Sequence, residues 1–517
     1  MLKILLITSC FFLSSCMVGP NFKEPQKNIS NHWLISSKAV RSAPVRSANW
    51  WKVFNDSTLT SLIERGYHNN LSLQSAGVKV LQARAQLAQS VGELYPQQQA
   101  LAGNYTYNRI GGSQLQGLLP PDFLTAATGF SASWEIDFWG KYRRAIQSND
   151  AVFMASLAAY DSALVTLTSD IARTFVQLRT DEALIKVTQE NIRIQTISLQ
   201  IAKARYKGGQ TSLLDVEQAS TELAETQSKL PQYVSDLQHQ KDSLAVLLGT
   251  TPDRVNGFLK KNHGIPKASA QIAVGIPKEI IVRRPDVFQA RMEAVAQSAA
   301  IGAVKANLYP SLSLAGTFNF SSNNIGSSTI SDLFNWSNRS IMAGPAATWP
   351  ILNYGQITNA VRVQDAAFQQ SLLSYMNLVL KVQQEVQDNI TRYIESKKTE
   401  YSLTVANAAA IRTTKLALIR YKEGEASYTT VLNAEQQQLR VQLSLVNARG
   451  EVSQSVIALY RALGGGWQIR GHNDLVAEQI KEEMAARTNW GSLLQQRNHQ
   501  PPATKGQKIK QLYLPTW

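Results

Sequence analysis

Two cysteines and six histidines are the side chains of this 517-residue sequence with the widest range of chemistry open to them. His32, His68, His239, His263, His472 and His499 stand far apart, without the close pairs that metal ligation usually shows. No glycine-rich phosphate loop ends in a lysine, and no Gly-x-Ser-x-Gly elbow presents a nucleophile. Gly464-Gly465-Gly466 follows a helical pattern and reads as a helix stop. The seven methionines do not cluster, so no relay for copper or silver is indicated. The sequence therefore points to no cofactor, no resident metal and no enzyme.

The cysteines have a different use. Lys3 is a thin positive start, Ile4–Leu13 is an apolar run too short to span a bilayer as a helix, and Leu13-Ser14-Ser15-Cys16 follows. That string resembles the bacterial lipobox. The resemblance implies that residues 1–15 are a signal peptide, that cleavage falls before Cys16, and that Cys16 carries lipid on both sulfur and amine. Several acyl chains anchor stably where one alone is marginal. Met17, rather than Asp, follows the cysteine, which in lipoprotein sorting implies the outer membrane. Cys10 leaves with the signal peptide, so the mature chain is expected to hold no free thiol.

Formal charge is +15, from 52 Lys and Arg against 37 Asp and Glu. The bases are scattered with no run of five or six, which describes a solvated basic surface and no nucleic-acid site. At 17% charged and 44% hydrophobic residues, the chain is too apolar for disorder and too polar for a bundle of membrane helices.

The elements that would position any functional group come in duplicate. Leu94-Tyr95-Pro96 recurs as Leu308-Tyr309-Pro310, and Trp139-Gly140 falls opposite Tyr354-Gly355. Arg205-Tyr206-Lys207-Gly208-Gly209 recurs as Arg420-Tyr421-Lys422-Glu423-Gly424. Ala219 aligns with Ala434, and Leu248-Gly249 with Leu463-Gly464. The offset is 214 at the first match and 215 at the later ones, far too long for a solenoid repeat. Two similar halves, 59–249 and 283–467, are fused. Each reads as a helix (about 59–94 and about 287–308) halted at Tyr-Pro, a pair of alternating segments, a very long helix, and a shorter returning helix. The fold class is mainly α with a small β part.

No Pro or Gly interrupts 141–207 or 356–422, which at 1.5 Å per residue allows helices of about 100 Å. Leu157, Leu164, Ile171, Leu178, Ile185, Ile192 and Leu199 recur every seventh residue as a coiled-coil seam. Thr174, Asp181 and Gln195 stand where a second apolar stripe would sit. One buried seam and one wet face suit a wall helix around water; the heptads alone equally describe an antiparallel rod. Pro231 predicts a kink in the first returning helix that Val446 does not impose on the second.

Short alternating segments separate a duct from a rod. Phe130-Ser131-Ala132-Ser133-Trp134-Glu135-Ile136-Asp137-Phe138 alternates throughout, and Leu101–Asn108 and Leu312–Phe320 do so nearly as well. Strands are expected at about 100–109, 128–138, 311–321 and, more weakly, 340–350. Period two with a polar second face marks a barrel strand between lipid and a wet lumen. Trp134, Phe138, Trp139, Phe318, Phe320 and Trp349 suit interfacial girdles. Four strands cannot close, and open edges are not tolerated in hydrocarbon, so oligomerisation is forced; three copies supply twelve strands. The loops 109–128 and 321–340 read as exposed.

The chain resembles the TolC-type outer-membrane efflux proteins, and most closely their OprM-like lipoprotein branch, over roughly residues 16–467. The residues that carry this are the lipobox with Val18-Gly19-Pro20-Asn21, Trp50-Trp51-Lys52-Val53-Phe54-Asn55-Asp56, Arg283-Arg284-Pro285-Asp286-Val287 with Ala290, Ile301-Gly302-Ala303, Leu308–Leu312, Trp349-Pro350-Ile351 and Leu463–Trp467. The resemblance implies a homotrimer with a twelve-stranded outer-membrane barrel on a twelve-helix periplasmic tunnel. An equatorial belt would come from 16–58, a linker at 250–282 and the tail. Partners would be a periplasmic membrane-fusion adaptor and an inner-membrane pump of the resistance–nodulation–division type. The expected function is passive exit of small toxic compounds; type I protein secretion and a lipid-anchored periplasmic scaffold are the alternatives.

A duct needs a gate and a docking end rather than a catalyst. The resemblance places both at the turns around Arg205, Tyr206 and Gly209 and around Arg420, Tyr421, Glu423 and Gly424. Relatives of this type often carry an acidic ring and an apolar plug just after the second turn. Asn433 and Thr429 stand at those positions here, so an acidic ring and a plug are not expected. A gate held by hydrogen bonds and by pairs such as Arg420 with a carboxylate is expected instead. Residues 468–517 lie beyond the resemblance; a helix at 475–486 and mostly disorder are expected there.

Overall fold

The computed structural model describes residues 17–26, 28–34, 40–42, 48–111, 120–259, 264–268, 272–275, 277–471 and 473–495. Cys16 and the expected signal peptide, 1–15, lie outside the described residues. In chain order come β1 (Val40–Ser42), α1 (Ser57–Asn69), α2 (Leu71–Gly92), β2 (Gln98–Arg109), β3 (Asp122–Ile136), α3 (Lys141–Lys207), α4 (Leu213–Leu247) and α5 (Pro252–Phe258). Then follow β4 (Ile272–Val274), α6 (Pro277–Arg283), α7 (Pro285–Lys305), β5 (Ser311–Asn323), β6 (Arg339–Thr348), α8 (Gln356–Lys422), α9 (Tyr428–Ala462) and α10 (Glu478–Arg487). The duplication shows in the lengths: α3 and α8 are both 67 residues, α4 and α9 both 35. α4 stays one helix through Pro231.

The first expected helix is two. Asn70 is extended, ends α1, accepts the Leu73 amide at 2.8 Å as the cap of α2, and donates to the Leu247 carbonyl at 3.0 Å. Capping and a tertiary bond outweigh the helical pattern running through it. α7 begins at Pro285, where a missing amide costs nothing.

Four strands form one antiparallel sheet in the order β2-β3-β5-β6. Leu101, Phe130, Phe318 and Ile341 line up across all four. On that face lie also Trp134, Ile136, Leu314 and Leu312, while Ser131, Ser133, Glu135, Ser313 and Thr317 occupy the other. This is the predicted lipid-and-lumen alternation. β3 starts at Asp122, earlier than expected, because small residues such as Ala126 and Ala127 hide the alternation that pairs 122–127 with 104–109. The free edges are β2 and β6.

Each strand pair is tied to its helix by equivalent indoles. Trp134 Nε1 donates to the Leu94 carbonyl at 3.1 Å, and Trp349 Nε1 to the Leu308 carbonyl at 3.0 Å. The repeated Leu-Tyr-Pro thus supplies a helix end whose open carbonyl receives a rim tryptophan. Asp137 caps α3 through the amides of Tyr142 and Arg143 at 3.0 and 3.1 Å. Gly140 and Gly355, with φ of 79° and 81°, turn the chain from strand to long helix.

Below the sheet lies an apolar belt. Trp50, stacked on Tyr460 at 5.5 Å, Trp51 and Phe54 are buried beside Ile171, Phe175 and Leu178. Arg284 joins α7, α8 and α9, reaching Asp286, Glu385 (2.8 Å) and the Ala462 carbonyl (2.5 Å). The N-terminal segment and linker meet as β1 pairs in parallel with β4, and Trp33 Nε1 donates to the Gly275 carbonyl at 2.8 Å. The tail differs from its expectation of disorder over its described part. Arg470 pairs with buried Asp161 at 2.6 Å, Leu475 and Val476 enter the core, and Arg84 donates to the Leu493 and Gln495 carbonyls. Buried ionic and apolar anchors, dispersed in a polar sequence, order it. Residues 496–517 lie outside the described residues.

Candidate functional site

The tips of the two helical hairpins carry the groups expected to gate and dock. Gly209 (φ 67°) and Gly424 (φ 85°) make the reversals. Arg205 leaves the end of α3 and crosses to the second tip. Its Nη1 donates to the carbonyls of Tyr421 and Lys422 at the C-terminal end of α8, and its guanidinium lies 4.9 Å from the Tyr421 ring centre. A cation at a helix C-terminus meets the negative end of the helix dipole. Tyr421 is buried, packs edge-on against Tyr428 at 5.4 Å, and donates its hydroxyl to Asp215 Oδ2 at 3.3 Å. Thr211 donates to the same oxygen. Burial pushes the Tyr421 phenol above its ordinary range, so it remains a donor at neutral pH.

The pseudo-symmetric partner behaves differently. Arg420 reaches only Glu425, at 3.6 Å, with both side chains about two-thirds exposed (64% and 65%). That pair holds its own turn and contributes little to stability. Tyr206, Glu423, Thr429 and Asn433 are exposed. The fold thus brings Arg205 and Tyr421 together and leaves Arg420, Tyr206, Glu423, Thr429 and Asn433 on open faces. Thr211, Asp215 and Tyr428 were not singled out in the sequence, although Asp215 in the first turn of α4 is a usable sign.

The helix leading to the tip also departs from expectation. The seam Leu157, Leu164, Ile171, Leu178 is buried, but Ile185, Ile192 and Leu199 are only half-buried. Burial passes instead to Asp181, Leu184, Thr188, Asn191, Gln195, Ser198 and Ala202, a heptad stripe that is mostly polar. Its members bond across helices: Asn191 Nδ2 to Gln442 Oε1 at 2.6 Å, Gln195 Nε2 to Glu222 Oε1 at 3.2 Å, and Ser198 to Glu435. Toward the tip α1, α2 and α7 have ended, and the packing partners of α3 are α4 and α9.

Comparison with known proteins follows the same outline. The family model described as outer membrane efflux protein matches residues 62–250 and 276–465, one match per repeat. The chain is 26% identical over 475 residues to the cation efflux system protein CusC of Escherichia coli O6:H1, covering 90% of this chain and 99% of that one. It is 27% identical over 474 residues to the antibiotic efflux pump outer membrane protein ArpC of Pseudomonas putida, covering 89% and 95%. The solved outer-membrane channel OprN superposes with a TM-score of 0.80 at 27% identity, over 88% of this chain and all of that one. β2 and β6 are left as free edges, which hydrocarbon does not tolerate, so the sheet closes only with copies of itself, and three sets of four strands make a twelve-stranded barrel. The chain belongs to the outer membrane efflux protein family and is the outer-membrane channel component of a tripartite efflux system, extending into the periplasm.

Proposed function

We propose that the trimer is a passive exit duct for small toxic compounds, closed at rest by the tip network and opened when a membrane-fusion adaptor docks there on behalf of a resistance–nodulation–division pump. The observation that carries this is the Arg205 crossing: one side chain ties the first hairpin to the C-terminal carbonyls of α8 in the second. Breaking it frees α8 and α9 to move away from α3 and α4. Tyr206, Gly209 and the exposed Leu213 and Leu214 form the first adaptor face, and Glu423 and Gly424 the second. Arg420 and Glu425 line the narrowing, with Thr429 and Asn433 supplying neutral walls behind them. The duct performs no chemistry of its own, so direction and energy come from the pump.

Lipid on Cys16 fits the same arrangement. Met17 packs against Gly140 and lies 3.8 Å through its sulfur from Gln147, beside the Trp139 carbonyl that receives the Val18 amide. Residue 17 therefore sits where the sheet meets α3, next in sequence to the cysteine that would carry the lipid.

Deleting the gene and measuring growth on a panel of dyes, detergents and antibiotics tests the reading. Susceptibility should rise several-fold, be restored by the wild-type gene, and not be restored by a Cys16→Ala chain lacking the anchor. Unchanged susceptibility, with secretion of a protein lost instead, would overturn the cargo assignment.

A further inference from the structure

Two carboxyl groups, Glu222 of α4 and Glu435 of α9, are buried in the tip half against α3, at 6% and 2% exposure. Their partners are neutral. Glu222 accepts from Gln195 Nε2 (3.2 Å) and from Gln436 Nε2 (2.8 Å), and Glu435 Oε1 accepts from Ser198. The other Glu435 oxygen, Oε2, has no partner. Among the described residues, neither the hydroxyl of Thr226, one turn beyond Glu222 on the same face and 1% exposed, nor the Gln195 amide oxygen has a partner. A buried Glu435 carboxylate beside that of Glu222, with only neutral groups to bond it, is disfavoured relative to its protonated form.

The groups facing Glu435 can be named from each element. α3 offers Ser198 and Gln195, which do not titrate. α4 offers Glu222 and, nearer the tip, Asp215. α9 itself offers Tyr428 and Gln436, and α8 offers Tyr421, which packs on Tyr428. Neither lysine nor arginine acts on the Glu435 carboxyl. Arg205 is engaged with Tyr421 at the turn.

We propose that Glu435 is a proton-binding site inside the tip half, which holds a proton beside the Glu222 carboxylate below neutrality and keeps α9 seated on α3 and α4 only while that proton is bound. Its loss leaves two like charges facing each other among neutral groups, and the three helices loosen. The loosened helices are those that carry the tips, so this site sets how readily the hairpins separate; its titration does not depend on how they gate. Burial first, then the Glu222 charge, raises the Glu435 carboxyl to about 7 against the Ser198 hydrogen bond. A carboxyl with a raised folded value stabilises the fold fully below its unfolded value and loses that contribution as pH climbs through the folded one. The window therefore runs from about pH 4.5 up to and past about pH 7.

The test uses detergent-solubilised trimers of the full chain. Infrared difference spectra of the wild type should show a protonated-carboxyl band that disappears near neutrality, and Glu435→Gln should remove it. Glu217→Gln, on the exposed face of α4, should leave it in place. Amide exchange in 429–440 should quicken with rising pH in the wild type beyond the intrinsic rate, and stay flat in Glu435→Gln. A wild type without such a band between about pH 5 and about pH 8, or parallel exchange profiles for both proteins, would overturn the proposal. So would a melting temperature that calcium or a chelator shifts in the wild type but not in Glu222→Gln, because the occupant would then be a metal ion.

Discussion

The two halves of α3 have the same length of helix to bury and do it with opposite chemistry. In the belt, Leu164, Ile171, Phe175 and Leu178 are fully buried in a core shared with α1, α2, α8, α9 and the Trp50-Trp51 pair. Toward the tip, Thr188, Asn191, Gln195 and Ser198 take over the inward face and are held by hydrogen bonds. An apolar seam is non-directional and close-packed, so it resists displacement in every direction. A hydrogen-bonded seam exchanges partners with water at small net cost. The belt is thus a fixed collar and the tip half a wall that can splay.

The largest break in this comparison falls in the collar. Phe175→Ala should cost about 3–5 kcal/mol and lower the unfolding midpoint of the trimer in denaturant. Asp161→Ala, which removes the buried carboxylate paired with Arg470, should cost a similar amount, about 3–5 kcal/mol, and expose the tail to protease. At the tip, Arg205→Ala should cost only about 1 kcal/mol, since the side chain is partly exposed, yet raise single-channel conductance several-fold. Replacing Asn191 and Gln442 together by Leu should change stability by about 1 kcal/mol or less while slowing export in cells, because an apolar pair does not let go as a hydrogen bond does. Arg420→Ala is the smallest, within about 0.5 kcal/mol in stability; its effect on conductance measures whether the exposed pair with Glu425 also narrows the pore.

The repeat, the long helices and three of the four strand boundaries were legible because they rest on local rules: proline and glycine positions, period two and equal offsets. Asn70, by contrast, sits inside a helical pattern, and only its bond to Leu247 across 177 residues reveals the break. The start of β3 was hidden by alanines that carry no alternation. The tail keeps its expected helix, at Glu478–Arg487, but its described part is more ordered than expected, because Arg84, Arg470 and Lys481 look solvated in sequence and are buried with partners in space. At the tips the sequence pointed to both Arg-Tyr-Lys turns and gave the gate to the second, through Arg420, whereas the arginine that crosses between hairpins is Arg205 of the first. The asymmetry, with Arg205 crossing to the other hairpin and Arg420 staying on its own turn, is a tertiary contact that the repeated motif does not encode. The heptad reading of α3 failed beyond Leu178 for the same kind of reason: burial follows the neighbours a helix has, and those change along its length.

The most direct measurement is single-channel conductance of purified trimers in planar bilayers, comparing wild type with Arg205→Ala combined with Tyr421→Phe. The tip network predicts a small resting conductance that rises several-fold in the double variant, with trimers of unchanged mass. Equal conductance in intact trimers of both proteins would contradict a gate held by Arg205 and Tyr421.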